Sequence, residues 1–267
     1  LCYDALSGRE LWRRSLEQIH SESPHPLNGP TSPTAASDGR SLFVFLPDVG
    51  LAAYSLEGEL LWRQPLGPFG AIQGMAVSPV YADGHVLLLV DTPDQAYLAA
   101  FHAGTGEMVW KAARPIGFLG SYATPAIYYP PDGPAQVIAA GAVELTGYDV
   151  RTGARLWWAQ GVTSAPAAPP LVAGNAVYSL EPSGEGAPPF SQMLKQFDKN
   201  GNGTLELSEL QGEATNLRIM ARLFGSLDKN AGNNDGRVTL EEYEKSFHPE
   251  QKSGGLVGFR LGSSGDV

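Results

Sequence analysis

One frame recurs four times in this chain and limits the possible folds more than any other feature. It reads CYDALSGRELW at residues 2–12, AAYSLEGELLW ending at Trp62, AFHAGTGEMVW ending at Trp110 and GYDVRTGARLW ending at Trp157. The tryptophans lie 50, 48 and 47 residues apart. Self-similarity at such a period marks an architecture of stacked, near-identical supersecondary units. Upstream of each Trp an aromatic residue precedes a turn glycine, in the pairs Tyr3/Gly8, Tyr54/Gly58, Phe101/Gly106 and Tyr148/Gly153. The side chains between them alternate as strands do, so each copy predicts a β-hairpin turning on a glycine.

A second beat keeps time with the first. Ser32-Pro33, Ser78-Pro79 and Thr124-Pro125 each precede an apolar strand, a turn and another apolar run such as 41–46 or 85–90, and Ala168-Pro169 takes that place in the next copy. Each period therefore holds four short strands, the content of one β-propeller blade; a solenoid of this period would show helical spacing. A lone blade leaves both faces bare. Stacking around a ring covers them, and a large Trp suits the gap between neighbours.

Composition removes several function classes. With 18 basic against 28 acidic residues the net charge is −10, the wrong sign for gripping nucleic-acid phosphates. The apolar run 86–90 is far below the ~18 residues of a membrane span, so no span is expected. Cys2 is the sole cysteine, which excludes an internal disulfide, a CxxC pair and a cysteine-built zinc site. Its counterparts in the repeat are Ala53, Ala100, Gly147 and Gly258, so it is expected to pack as a small residue inside a blade. The five histidines show no metal-ligand spacing. The chain opens on Leu1 with no signal-type segment before it, and reads as a fragment.

The pattern small-x-Asp-x-x-Thr/Ser-Gly-x-x-x-Trp at 2–12 and 147–157 resembles the tryptophan-docking motif of the quinoprotein (PQQ-like) β-propeller family. Ser55 and His102 stand where Asp is usual, and the second copy is one residue short. The resemblance covers nearly all of residues 1–181 and the extreme C-terminus. It implies an all-β propeller of four-stranded antiparallel blades, of which this chain would hold four and part of a fifth out of the usual eight. The family includes pyrroloquinoline-quinone alcohol dehydrogenases and a non-catalytic propeller lipoprotein of outer-membrane assembly. Its dehydrogenases commonly use a vicinal cysteine pair, a calcium held by carboxylate and amide groups, and a catalytic Asp. One cysteine cannot make that pair, and no acidic residue repeats at inner-strand positions. The expectation is a non-catalytic binding or scaffold protein, periplasmic or secreted as the resemblance implies, with no catalytic or quinone-binding residue in these blades and a protein or small-molecule ligand on the propeller face. The alternative is a dehydrogenase whose catalytic blades lie outside this stretch.

Phase locates an insertion. After Tyr148 the next aromatic in a similar frame is Phe259, 111 residues on where 47 were due, which places 64 extra residues between the strands near 176–180 and 256–261. Within 182–253 there is no Trp, and apolar residues take helical spacing: Phe190, Met193, Leu194, Phe197, then Leu217, Met220, Ala221, Phe224. The expected division is 1–181 propeller blades, 182–253 a small all-α insertion opening on a Pro/Gly-rich linker, and 254–267 the propeller strand resuming.

Between the two helical patterns, DKNGNGTLELSE at 198–209 suits every place of a twelve-residue EF-hand loop. Asp198, Asn200 and Asn202 supply oxygens at places 1, 3 and 5, and Gly203 makes the sharp turn. Thr204 offers its carbonyl, Glu206 binds directly or through water, and Glu209 closes the loop with both carboxylate oxygens. Such a hard-oxygen set suits Ca²⁺. The same loop holds the formal glycosylation triplet Asn202-Gly-Thr204, set aside because Asn202 serves better on the ion. A second loop, Asp228 to Glu242, runs 15 residues. Its candidate ligands are Asp228, Asn230, Asp235, the Arg237 carbonyl and Glu242, with Asn233 as a substitute for Asn230, and its Val238 would pair with Leu205. Two calcium ions are thus expected, the second more weakly held. The insert holds only Met193 and Met220, too few for a Met-lined sensor groove, which favours constitutively loaded structural sites over a switch.

Overall fold

The computed structural model describes residues 1–21, 28–71, 73–116, 120–142, 144–160, 166–181, 189–212, 220–221, 224–225, 227–228, 232–246, 255–262 and 264–266. A two-stranded sheet, β1 (Cys2–Tyr3) and β2 (Glu10–Trp12), comes first. Two four-stranded antiparallel sheets follow: β3 (Ala36–Ser37), β4 (Ser41–Leu46), β5 (Gly50–Ser55) and β6 (Leu60–Gln64), then β7 (Val80–Ala82), β8 (His85–Asp91), β9 (Ala96–His102) and β10 (Met108–Ala113). The next is β11 (Ala126–Tyr128), β12 (Gln136–Ala140), β13 (Glu144–Asp149) and β14 (Arg155–Gln160), and after it come β15 (Leu171–Ala173) and β16 (Ala176–Glu181). The first strands of successive sheets, β3, β7, β11 and β15, touch in turn, as the innermost strands of propeller blades do.

Stacking explains the sequence pattern within strands. Along β8, Val86, Leu88 and Val90 join the core shared with Phe43, Leu51 and Trp62 of the preceding sheet, while Leu87 and Leu89 join Val137, Ala139 and Tyr148 of the following one. A strand covered on both faces reads as a continuous apolar run, as HVLLLVD does. Ile138 and Ala140 in turn pack with Trp157, Val177 and Leu261, which carries the stack to the next sheet.

Trp12, Trp62 and Trp110 each stitch one sheet to the next, whereas Trp157 Nε1 donates to Gln136 Oε1 (2.9 Å) of its own sheet. Trp12 Nε1 donates to the Leu56 carbonyl (2.9 Å), Trp62 Nε1 to Ala103 (2.7 Å) and Trp110 Nε1 to Val150 (2.9 Å). The indole also lies on the next sheet's turn glycine: a Cβ on Gly58, Gly106 or Gly153 would stand 2.7, 2.5 or 2.6 Å from the ring. Those glycines have φ of +85°, +74° and +71°, so both the turn and the close approach require them. Within each hairpin one residue is bulged out, Leu11, Leu61, Val109 or Leu156, which sets the Trp opposite Cys2, Ala53, Ala100 or Gly147. The small residue at that place leaves room for the indole. Cys2 itself is only half-buried, because its sheet has two strands among the described residues.

A second stitch lies at the Ser/Thr-Pro corners. Thr34 N–H donates to Ser78 Oγ (2.8 Å), and Ser78 N–H to Thr124 Oγ1 (3.0 Å), so each hydroxyl ties its own sheet to the one before.

After Glu181 the chain leaves the sheet and returns as β19 (Gly255–Arg260), which pairs antiparallel with β16 from Ala176↔Arg260 to Glu181↔Gly255. Between them lie α1 (Phe190–Phe197), β17 (Leu205–Glu206), a 3₁₀ turn (Leu207–Leu210), β18 (Arg237–Val238) and α2 (Leu240–Ser246), with a separate core of Phe190, Met193, Phe197, Leu205, Leu210, Met220, Phe224, Leu227, Val238 and Tyr243. Helical spacing at 190–197 thus forms the expected helix, whereas Leu217 and the linker 182–188 lie outside the described residues. A last strand, β20 (Gly265–Asp266), adds parallel to β14, a pairing that no repeat arithmetic anticipates. Among the described residues no helix is long and apolar enough to cross a membrane.

Candidate metal centre

The 198–209 loop starts where α1 ends, with Asp198 N–H bonded to the Leu194 carbonyl (2.9 Å). It closes on the carboxylates at its two ends. Asp198 Oδ1 accepts from Gly201 N–H (2.7 Å) and Oδ2 from Gly203 N–H (2.9 Å). Glu209 Oε1 accepts from Lys199 and Asn200 N–H (2.9 and 3.2 Å), and Oε2 from Glu206 N–H (3.0 Å). Between them Asn200 Oδ1 accepts from Asn202 N–H (2.9 Å), and Asn202 Oδ1 from both the N–H and the hydroxyl of Thr204 (2.9 and 2.8 Å). Gly203 makes the turn at φ +80°. Asp198, Asn200, Asn202, Thr204 and Glu209 are therefore gathered in one closed loop. Glu206 stands apart: its Oε1 accepts from Asn202 Nδ2 (2.8 Å) and faces Arg237 Nε at 3.6 Å, which suits contact with an ion through water.

Leu205 and Val238, both buried, pair across the two-residue bridge β17–β18. The bridge places the second loop against the first. Asp228 and Glu242 are buried there, and Asp235 and Arg237 lie at its turn, while Asn230 is outside the described residues. Glu209 and Glu242 are only 4% and 6% exposed, deep for carboxylates, but their oxygens are met by backbone N–H groups. No three His, Cys, Asp or Glu side chains gather at one point among the described residues. An ion held here would draw on amide and carbonyl oxygens as well, a donor set that fits calcium and not zinc.

The blades contain buried charged groups that the repeat does not signal, Asp91 among them. Asp91, at the end of β8, is 2% exposed; its Oδ2 is 3.8 Å from Arg114 Nε and accepts from Ala142 N–H (3.3 Å), while Oδ1 has no hydrogen-bond partner. Burial pushes the Asp91 carboxyl up to about 6 against the pull of Arg114. The guanidinium of Arg114 is held by Tyr148 Oη (2.9 Å) and the Glu144 carbonyl (3.2 Å) from the next sheet. Asp91 and Arg114 thus form a loose, buried contact within one sheet, from which the guanidinium reaches on to the next.

Four-stranded antiparallel sheets, stacked in sequence and stitched by a recurring tryptophan, define a β-propeller of PQQ-like repeats. The family model described as outer membrane protein assembly factor BamB (PQQ_2) matches residues 1–213, and the chain belongs to that family. No curated protein matches it. Among solved structures it is similar to BamB from Moraxella catarrhalis, at 16% identity and a TM-score of 0.45 over 55% of this chain and 46% of that one. It is also similar to the quinohemoprotein alcohol dehydrogenase from Comamonas testosteroni, at 14% identity and a TM-score of 0.46 over 66% and 36%. The chain spans less than half the length of each.

Proposed function

We propose that this chain is part of a non-catalytic, extracytoplasmic propeller that binds a protein or small-molecule partner on its face, and that residues 182–253 are an EF-hand pair inserted between 1–181 and 254–267. Calcium binds in the first loop through Asp198, Asn200, Asn202, the Thr204 carbonyl and Glu209, with Glu206 acting through water. The observation that carries the calcium reading is the closure of residues 198–209 on Asp198 and Glu209, each carboxylate using both oxygens. Lone pairs not used by the backbone are left for a cation of charge two, and the bridge at Leu205 ties the loop to its partner. The family's description as an assembly factor for outer membrane proteins supports a protein-binding role outside the cytoplasm.

Calorimetric titration of the full chain with calcium tests the metal reading. Binding is expected, and Glu209→Gln should lose one site while the propeller's melting transition stays in place. Chelation should lower the transition of the insert alone; loss of the whole propeller transition would refute a modular insert. Oxidation of alcohols or sugars with added quinone and an electron-accepting dye would overturn the non-catalytic reading.

A further inference from the structure

The 228–242 loop is three residues longer than the one before it, yet most of the bonds that close it match. Gly236 N–H donates to Asp228 Oδ2 (3.0 Å) as Gly203 N–H does to Asp198 Oδ2 (2.9 Å). Asp235 N–H donates to Asn233 Oδ1 as Asn202 N–H does to Asn200 Oδ1, both at 2.9 Å. Arg237 N–H donates to Asp235 Oδ1 as Thr204 N–H does to Asn202 Oδ1, again both at 2.9 Å. Asn233 and Asn200 N–H each reach the closing glutamate's Oε1 at 3.2 Å, while Thr239 and Glu206 N–H reach its Oε2 at 2.8 and 3.0 Å. The residue between the third and fifth places has positive φ in both loops, +58° at Asn234 and +71° at Gly201. This correspondence puts Asn233 in the place of Asn200. Counted against the first loop, the three additional residues are 229–231, which lie outside the described residues.

The bonding at the first ligand differs, and the difference leaves a ligand oxygen unmet. In the first loop Gly201 N–H donates to Asp198 Oδ1 (2.7 Å), whereas the matching Asn234 N–H donates to the Asp228 main-chain carbonyl (2.9 Å). Asp228 is 5% exposed, and its Oδ1 is left with no hydrogen-bond partner. An anionic oxygen buried without a donor is unfavourable, and a cation relieves it. The chain passes so close at Gly232 that a Cβ there would collide with Glu242 Oε1 and stand 2.6 Å from the Asp228 carbonyl.

We propose that residues 228–242 form a second calcium site whose ligands are Asp228, Asn233, Asp235, the Arg237 carbonyl and Glu242, with Asn233 and not Asn230 at the third place. The inference deepens the calcium reading above and shares its donor chemistry, but it does not need the first loop to be filled. Asp235 gives this loop a carboxylate where the first has Asn202, and Thr239 stands where the first has Glu206.

Calcium alone, titrated calorimetrically into the full chain and its variants, tests the assignment. Wild type should take two ions. Asn233→Ala should weaken one site by at least about tenfold and Asn230→Ala neither, while Asn233→Asp, which adds a ligand charge, should tighten one by about tenfold. The Asp variant keeps the test valid should the Ala variant unfold the insert. A single site in wild type that disappears in Glu209→Gln would overturn this inference and leave the first-loop reading standing. A single site that survives Glu209→Gln and is lost in Asn233→Ala would do the reverse. Two sites with one lost in Asn230→Ala and none in Asn233→Ala would overturn the ligand assignment, and no binding at all would overturn both readings.

Discussion

The blades and the insert are closed by different means. A seam between blades is mostly carbon: alternate residues of β8 face opposite neighbours, and Trp12, Trp62 and Trp110 each lay a ring on the next turn, adding one indole hydrogen bond. The insert has its own small core, but its two loops are shaped by carboxylates that turn inward onto the backbone, joined through the Leu205–Val238 bridge and the Glu206–Arg237 contact beside it. Apolar seams need no bound ion, because their stabilisation scales with area removed from water. On the calcium reading proposed above, the inward-facing carboxylates tie the insert's stability to a cation. The two regions should therefore respond to different perturbations.

The largest effect is expected at the apolar seam. Trp62 is 9% exposed, stacks with Phe43 at a centroid distance of 6.1 Å and covers Gly106. Trp62→Ala removes its packing and its bond to Ala103, and should cost about 3–5 kcal/mol. In a calorimetric scan the propeller transition should fall steeply while that of the insert holds; a joint fall would show that the two regions melt as one and break the comparison.

Next comes the charge buried between blades. A carboxyl raised from 3.8 to about 6 favours the protonated form in the fold, so the stability linked to Asp91 is present below its unfolded value and is lost as pH rises through about 6. The loss should reach up to about 3 kcal/mol. This runs opposite to ordinary acid denaturation and belongs to the propeller alone. Denaturant titrations at pH 4.5 and 7.5, chosen as about a unit and a half either side of that value, should differ in wild type and converge in Asp91→Asn. An unchanged slope in the variant would remove Asp91 as the cause.

What the sequence reveals divides along the same line. The Trp, Gly and aromatic places of each hairpin are legible because a repeated contact demands the same residue types each time, and helical spacing marks 190–197 for the same reason. The bulges at Leu11, Leu61, Val109 and Leu156 are not, since a bulge is a property of pairing and any residue can occupy it. Asp91 and Arg114 occur once, so no periodicity points to them. In the longer loop, counting forward from Asp228 suggests Asn230, whereas counting back three from the turn glycine gives Asn233, as it gives Asn200 from Gly203. The turn glycine is the better anchor, because the bonds that shape the loop radiate from it and from the closing glutamate.

The smallest effect tests the polar stitch between blades. Ser78 and Thr124 read in sequence as mere companions of proline, but their hydroxyls accept from Thr34 and Ser78 N–H of the preceding sheet. Ser78→Ala deletes one acceptor and leaves the Thr34 N–H, near the surface, to find water. A net loss of about 1 kcal/mol is expected, the ordinary worth of one such bond. For a body of this size that corresponds to roughly 2–4 °C in Tm. Ser78→Thr should restore it, because Thr124 performs the same task one blade on. If Ala and Thr at position 78 melt alike, the hydroxyl is incidental to the seam, which then rests on apolar packing and the indole bonds.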